Sequence, residues 1–236
     1  MPPLTSALVT GATRGIGRAT AFALGRAGYR VGVCALTQTQ VDALLADLKR
    51  EGIDAAGVGA DVGDPGQAAV AVEQIAAAIG EIGVLVNNAG VLIARPIEEM
   101  TLEDWDVTMA TNVRSLFLMT RAVLPAMRRR REGTIVNVAS LAGRNGFAGG
   151  TAYSASKHAV LGFSRSLMLE VRKDNVRVIA ICPGSVDTAL LQGQPMLQSD
   201  PTRILRPEDV AETILHALRL PARAMVSEVD IRPTNP

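Results

Sequence analysis

Leu4-Thr5-Ser6-Ala7-Leu8-Val9-Thr10-Gly11-Ala12-Thr13-Arg14-Gly15-Ile16-Gly17 is the stretch that decides the fold. A short apolar run breaks into three glycines and then into an Ala-rich segment of helical period. Glycines at such a strand-to-helix turn let the backbone bend sharply and approach a pyrophosphate. Free N–H groups at the helix N-terminus then face the anion. Alone, the glycines satisfy turn geometry only; the strand before them and the helix after them add the phosphate reading. The spacing departs from GxGxxG, because three residues separate the first two glycines.

Working outward, short apolar runs alternate with helical segments, which reads as repeated βα units: an α/β, doubly wound fold with a parallel sheet and helices on both faces. Strands are predicted at 4–10, 30–35, 54–60, 82–87, 133–139, 176–182 and 225–231. Helices are predicted at 15–27, 38–51, 65–80, 102–131, 152–173 and 207–218. With no repeat and no long linker, residues 1–236 form one expected domain. Nearly half the residues are apolar but few are aromatic, so the core is aliphatic. Such interiors suit buried parallel strands closely covered by helices.

Composition excludes several function classes. A formal net charge of +1 argues against a nucleic-acid surface. The run Arg128-Arg129-Arg130-Arg131 reads as a solvated helix C-terminus. Cys34 and Cys182 lie in apolar runs and read as buried thiols, and His158 and His216 stand apart as structural residues, so no metal site is expected. No apolar stretch is long enough to span a membrane, and the first residues lack a leader pattern. The expected compartment is the cytoplasm.

Two helices imply a partner. From Val113 to Met127 apolar side chains point in almost every direction, with Arg114 and Arg121 as the polar stripe. The helix over 152–173 carries Val160, Leu161, Phe163, Leu167, Met168 and Val171 over a broad arc. Each needs covering on more than one side. A homodimer or homotetramer through helices 102–131 and 152–173 is expected; the alternative is cover by loops of the same chain.

The second strand ends in Cys34-Ala35-Leu36-Thr37-Gln38, without the acid that accepts from a ribose 2′-hydroxyl in NAD sites. Its absence permits a 2′-phosphate, with Arg14 to pair with it and Thr37 to donate a hydrogen bond. NADP(H) is therefore favoured, and NAD(H) remains possible. Asp61-Val62 ends the third strand, where the acid suits an adenine amino group, and Asn87-Asn88-Ala89-Gly90 ends the fourth. As lone motifs these are turn residues.

Ser140 closes the fifth strand, and Tyr153 and Lys157 stand four apart on one helix face. A nearby ammonium stabilises a phenolate, and lowering a tyrosine pKa by about three units takes roughly 4 kcal/mol. Such a tyrosine exchanges a proton with a carbonyl oxygen while hydride moves at carbon, and Ser140 holds the oxygen. Tyr-x-x-x-Lys by itself reads as a pair on a surface helix.

Together these motifs resemble the short-chain dehydrogenase/reductase family, in the branch marked by TGxxxGxG and YxxxK. The resemblance runs in order through Thr10–Gly17, Asp61, Asn87–Gly90, Asn112, Ser140, Tyr153, Lys157 and Pro183–Thr188. It implies a three-layer Rossmann fold with a seven-stranded parallel sheet, and hydride transfer between a nicotinamide and a carbonyl or secondary alcohol. The catalytic residues it implies are Asn112, Ser140, Tyr153 and Lys157, with Asn112 holding a water in a proton relay through Lys157. The cofactor contacts are Gly11, Thr13, Arg14, Gly15, Ile16 and Gly17; Leu36 and Thr37; Asp61 and Val62; Asn88, Ala89 and Gly90; Tyr153 and Lys157; and Pro183, Gly184, Val186 and Thr188. The Val186 backbone would meet the carboxamide. Ile231-Arg232-Pro233-Thr234 stands where many members carry a glycine-rich end, and the substrate-capping segment 189–206 is short. Competing readings are a non-catalytic dinucleotide sensor, a sugar-nucleotide epimerase, which has another glycine spacing, and an enoyl reductase, which spaces Tyr and Lys differently. The physiological substrate is not legible.

Overall fold

The computed structural model describes residues 6–194, 197, 200–221 and 223–234. Its strands are β1 (Ser6–Thr10), β2 (Arg30–Ala35), β3 (Ala55–Gly59), β4 (Val84–Asn87), β5 (Gly133–Val138), β6 (Val176–Pro183) and β7 (Glu228–Ile231). The helices are α1 (Gly15–Arg26), α2 (Gln38–Arg50), α3 (Pro65–Ile79), α4 (Leu102–Met109), α5 (Ser115–Arg130), α6 (Thr151–Val171), α7 (Ala189–Gln192) and α8 (Pro207–Arg219). All seven strands pair in parallel in the order β3-β2-β1-β4-β5-β6-β7. This is the doubly wound Rossmann architecture. The order reverses between β1 and β4, and that switch point opens the ligand crevice at the strand C-termini.

Strand side chains alternate between two faces. On one, Ala7, Val9, Val31 and Val33 join a core with residues of α1, α2 and α8. On the other, Leu8, Leu85 and Ile135 pack with residues of α3, α5 and α6. Both faces are buried, which is why the strands read as continuous aliphatic runs. Among the described residues no helix is long and apolar enough to cross a membrane.

Three expectations need correction. The helix expected over 102–131 is interrupted: between α4 and α5 lies a π-helical turn, Ala110–Arg114, in which the Ser115 N–H reaches back to the Ala110 carbonyl. One inserted residue shifts the helical phase by about 100°, but a segment apolar on almost every side from Val113 onward has no phase that would reveal it. The Arg128–Arg131 run is not a solvated terminus throughout. The Arg130 side chain is only 9% exposed, sits 2.9 Å from Glu81 and donates to the Ile82 carbonyl at 2.9 Å. Arg128 pairs with Asp174 at 3.1 Å, and Arg131 donates to the Lys173 carbonyl at 2.7 Å. Finally, β7 begins at Glu228 rather than 225, because pairing with β6 starts at Ala180 opposite Glu228. The first two residues of expected strand 4–10 lie outside the described residues.

Candidate active site

One cleft of about 1740 Å³ runs along the C-terminal strand ends. Ordinary small-molecule pockets span about 300–1,000 Å³, so it has room for a dinucleotide and a second ligand.

At its first end, β1 and β4 are stitched together. The Thr10 hydroxyl accepts from the Asn88 and Ala89 N–H groups, each at 3.0 Å. Asn88 Nδ2 donates to the carbonyls of Thr10 at 2.9 Å and Gly11 at 3.1 Å. Gly11 has φ +61°, and a Cβ there would lie 2.9 Å from the Ala89 Cα. At Gly17 a Cβ would lie 2.3 Å from the Gly11 carbonyl oxygen. The glycines are thus fixed by close backbone approach. Beyond them α1 opens with no side-chain cap from Arg14 and no acid in its first turn. Among the described residues no side chain claims its leading N–H groups, as an anion cradle requires.

Thr13, Arg14, Gly15, Ile16, Leu36 and Thr37 line this end. Arg14 is exposed, and no ion pair with it occurs among the described residues. Thr37 caps α2 in an extended conformation, yet its hydroxyl makes no cap bond. Leu36 is 69% exposed, an apolar side chain presented to the cleft. Asp61 and Val62 line the next section; one Asp61 carboxylate oxygen accepts from the Gly63 N–H at 2.8 Å.

At the other end, Tyr153 and Lys157 are only 8% and 5% exposed. Lys157 Nζ donates to the Val138 carbonyl at 2.9 Å and lies 5.6 Å from the Tyr153 ring centroid. The Ser140 hydroxyl accepts from the Ala142 N–H at 3.0 Å and reaches the Pro183 carbonyl at 3.4 Å. The sequence expectation for the tyrosine is reversed in sign. Burial raises the Tyr153 pKa above its ordinary value, with a smaller opposing contribution from its hydrogen bond with Ser140. Burial also pushes Lys157 down to about 8. The physical reason is that both groups are desolvated, while Nζ is directed to the Val138 carbonyl.

Asn112 sits in the π turn and is buried. Its Nδ2 donates to the Val91 carbonyl and to Ser156 Oγ, each at 2.9 Å, and its Oδ1 accepts from the Val91 N–H at 2.8 Å. Both amide hydrogens are engaged, which leaves one lone pair of Oδ1 for any further partner. A Cβ on Gly90 would lie 3.3 Å from Asn112 Oδ1 and 3.7 Å from Lys157 Nζ, so the two side chains converge there. Ser156, which the sequence reading missed, continues the chain by donating to the Tyr153 carbonyl at 2.7 Å.

The segment after β6 supplies a backbone edge. Leu205 donates to the Ser185 carbonyl at 3.0 Å and accepts from Asp187 at 2.8 Å. In that parallel bridge the Val186 N–H and carbonyl point the other way. Val186 lines the cleft with Pro183, Gly184 and Thr188, so a donor and an acceptor are paired there, as a carboxamide needs. Over Tyr153 lies an apolar group: Leu92, Ala142, Phe147, Leu190 and Leu197. Gln194, also missed, ties this cap down, accepting from the Ala94 N–H at 2.9 Å and donating to the Leu92 carbonyl at 2.7 Å. A glutamine in a polar loop gives no sequence signal for such contacts.

Comparison with known proteins fits this geometry. A sequence profile of the family described as short chain dehydrogenase matches residues 5–196. A 3-oxoacyl-(acyl-carrier-protein) reductase from a Synechocystis species is 38% identical over 226 residues, covering 94% of this chain and 92% of its own. The structure of an actinorhodin polyketide ketoreductase variant with NADPH superposes with a TM-score of 0.89 at 33% identity, covering 97% of this chain and 95% of that one. A metagenomic short-chain oxidoreductase in complex with NADP gives 0.85 at 35% identity, covering 98% and 97%.

Proposed function

This chain belongs to the short chain dehydrogenase family of oxidoreductases, and on that premise we propose that it is an NADPH-dependent reductase of a 3-oxoacyl thioester carbonyl. The observation that carries the reading is the convergence of Ser140, Tyr153 and Lys157 on one wall of the dinucleotide-sized cleft. The relatives named for ketoacyl reduction support the substrate class, and the solved NADP complexes support the cofactor.

The residues fit the dinucleotide on structural grounds. The uncapped start of α1 and the crowded Gly11 and Gly17 suit a pyrophosphate. Arg14 and the Thr37 hydroxyl, which makes no cap bond, suit a 2′-phosphate, and the Val186 backbone suits a carboxamide. When bound, reduced nicotinamide supplies a hydride to the carbonyl carbon.

The side chains do the rest. Ser140 Oγ and the Tyr153 hydroxyl hold the carbonyl oxygen, and as charge grows on that oxygen Tyr153 transfers its proton to it. A raised tyrosine pKa suits this direction, because the acid is fully protonated beforehand. The phenolate left behind is stabilised by Lys157 while that amine is charged, below about pH 8. Asn112 holds the Val91 loop and the start of α6 in register, and its free Oδ1 lone pair faces the Lys157 side for proton return.

The assembly proposed is a homodimer or homotetramer through α4, α5 and α6. Leu102, Trp105, Val107, Phe117 and Leu169 are large apolar side chains exposed on these helices, and light scattering at micromolar concentration would reveal a monomer if they are merely solvated.

The activity is tested by following NADPH oxidation with acetoacetyl-N-acetylcysteamine, a neutral 3-oxoacyl thioester. Turnover with at least a roughly tenfold preference for NADPH over NADH is expected from one charge-assisted phosphate contact. A preference for NADH would overturn the cofactor reading. Tight NADPH binding without turnover on any carbonyl would favour the sensor.

A further inference from the structure

We propose that Arg232 is an anion-binding residue at the substrate mouth of the cleft, and that the substrate carries a negatively charged group beyond its carbonyl. This rests on the reductase reading above and narrows its substrate.

The argument is one of charge and place. Glu228, Asp230 and Arg232 project from the same side of the chain at and just past β7, because strand side chains alternate. Arg165 donates to Glu228 at 2.6 Å, and Arg144 donates to Glu228 and Asp230, each at 2.7 Å. Among the described residues, three guanidinium groups therefore face two carboxylates here, one positive charge in excess. The loosest pair marks where it resides: Arg232 lies 3.4 Å from Asp230, which is already committed to Arg144. Arg232 is 56% exposed, and exposed ion pairs contribute little. Exchanging that contact for a ligand's anion costs almost nothing.

The excess charge faces the reaction. Arg232 and Pro233 line the same cleft as Ser140 and Tyr153. A Cβ on Gly184 would touch Leu141 and Pro233, each at 3.3 Å, so the segment carrying Arg232 abuts the residue next to Ser140. The other described cations of the cleft are occupied or distant. Arg114 donates to the Gly63 carbonyl at 2.7 Å, Lys157 donates to the Val138 carbonyl, and Arg14 lies at the phosphate end. Its two described acids, Asp61 and Asp106, belong to β3's end and α4 rather than this mouth. A planar guanidinium beside an apolar cap suits a substrate with an acyl portion and a phosphate or carboxylate.

The test uses matched neutral and anionic substrates with the full-length enzyme and NADPH. Acetoacetyl-N-acetylcysteamine is compared with acetoacetyl-4′-phosphopantetheine, and ethyl acetoacetate with acetoacetate. The wild type is expected to favour an anionic member, through KM. Arg232→Gln is expected to remove about tenfold of that preference without changing kcat on the neutral members, Arg232→Lys to retain part of it, and rising salt to erode it in the wild type. The phosphate pair responding alone identifies a phosphate ester; the carboxylate pair alone identifies a free acid. Equal effects of Arg232→Gln on neutral and anionic members, or no anionic preference in the wild type, would overturn the proposal while leaving the reductase intact. No turnover of any member, with NADPH still bound, would overturn both.

Discussion

In the pyrophosphate cradle between Thr10 and Gly17 the working atoms, Arg14 apart, are backbone N–H groups, whereas between Ser140 and Lys157 they are side-chain oxygens and a nitrogen. The first region works by what is missing: no Cβ at Gly11 or Gly17, no cap and no acid on α1. The second works by what is buried: a phenol and an amine taken out of water, each with its pKa displaced by desolvation. Backbone donors do not titrate and cannot be truncated, so the phosphate end is sensitive to added bulk and indifferent to pH. The chemical end is the reverse, since it hangs on a few removable, titratable atoms.

Substitution separates the two regions most sharply at the phenol. Tyr153→Phe is expected to lower turnover by about 10³-fold, the scale of a general acid, while NADPH affinity by fluorescence titration stays within a few-fold. Retained turnover would mean that another group supplies the proton. The complementary change is Gly17→Ala, whose Cβ would be placed 2.3 Å from the Gly11 carbonyl oxygen and 2.4 Å from Asn88 Nδ2. Displacing packed backbone costs about 1–3 kcal/mol. NADPH dissociation constants should rise by roughly tenfold or more, with kcat at saturating cofactor largely kept. An unchanged dissociation constant would show that the loop has slack the close approaches deny.

The smallest expected effect is in the pH profile. Lys157 has its pKa depressed to about 8, so its charge is present below that pH and lost above it. Reduction should hold steady below about pH 8 and fall about tenfold per further unit, while NADPH binding changes far less. A reduction rate that rises through this range would reverse the role given to Lys157. The same shift has a consequence for stability. The unfolded chain binds the Lys157 proton up to its ordinary pKa of 10.5, more tightly than the folded one does. Stability should therefore increase with pH between about 8 and 10.5, as far as this group is concerned.

The contrast also explains what could be read in advance. A cradle made of absences leaves a mark in sequence, because glycine at 11, 15 and 17 after an apolar run has few other uses. Tyr153 and Lys157 were legible as a pair since four residues along a helix always share a face. Ser156 and Gln194 were not, because a serine in a helix and a glutamine in a loop are ordinary until their partners are known. Arg130 shows the same limit from the other side: four arginines in a row look solvated, and only the fold brings Glu81 and the Ile82 carbonyl to one of them.

By itself the sequence determined the parallel sheet, the glycine turn and the helix face that carries Tyr153, all of which follow from period and spacing over a few neighbouring residues. Tertiary structure alone decided the π turn that seats Asn112, the direction of Lys157 Nζ toward Val138, and the upward sign of the Tyr153 shift. Each of those depends on desolvation or on hydrogen-bond partners contributed by segments distant in the chain. Such sums over space have no local signature.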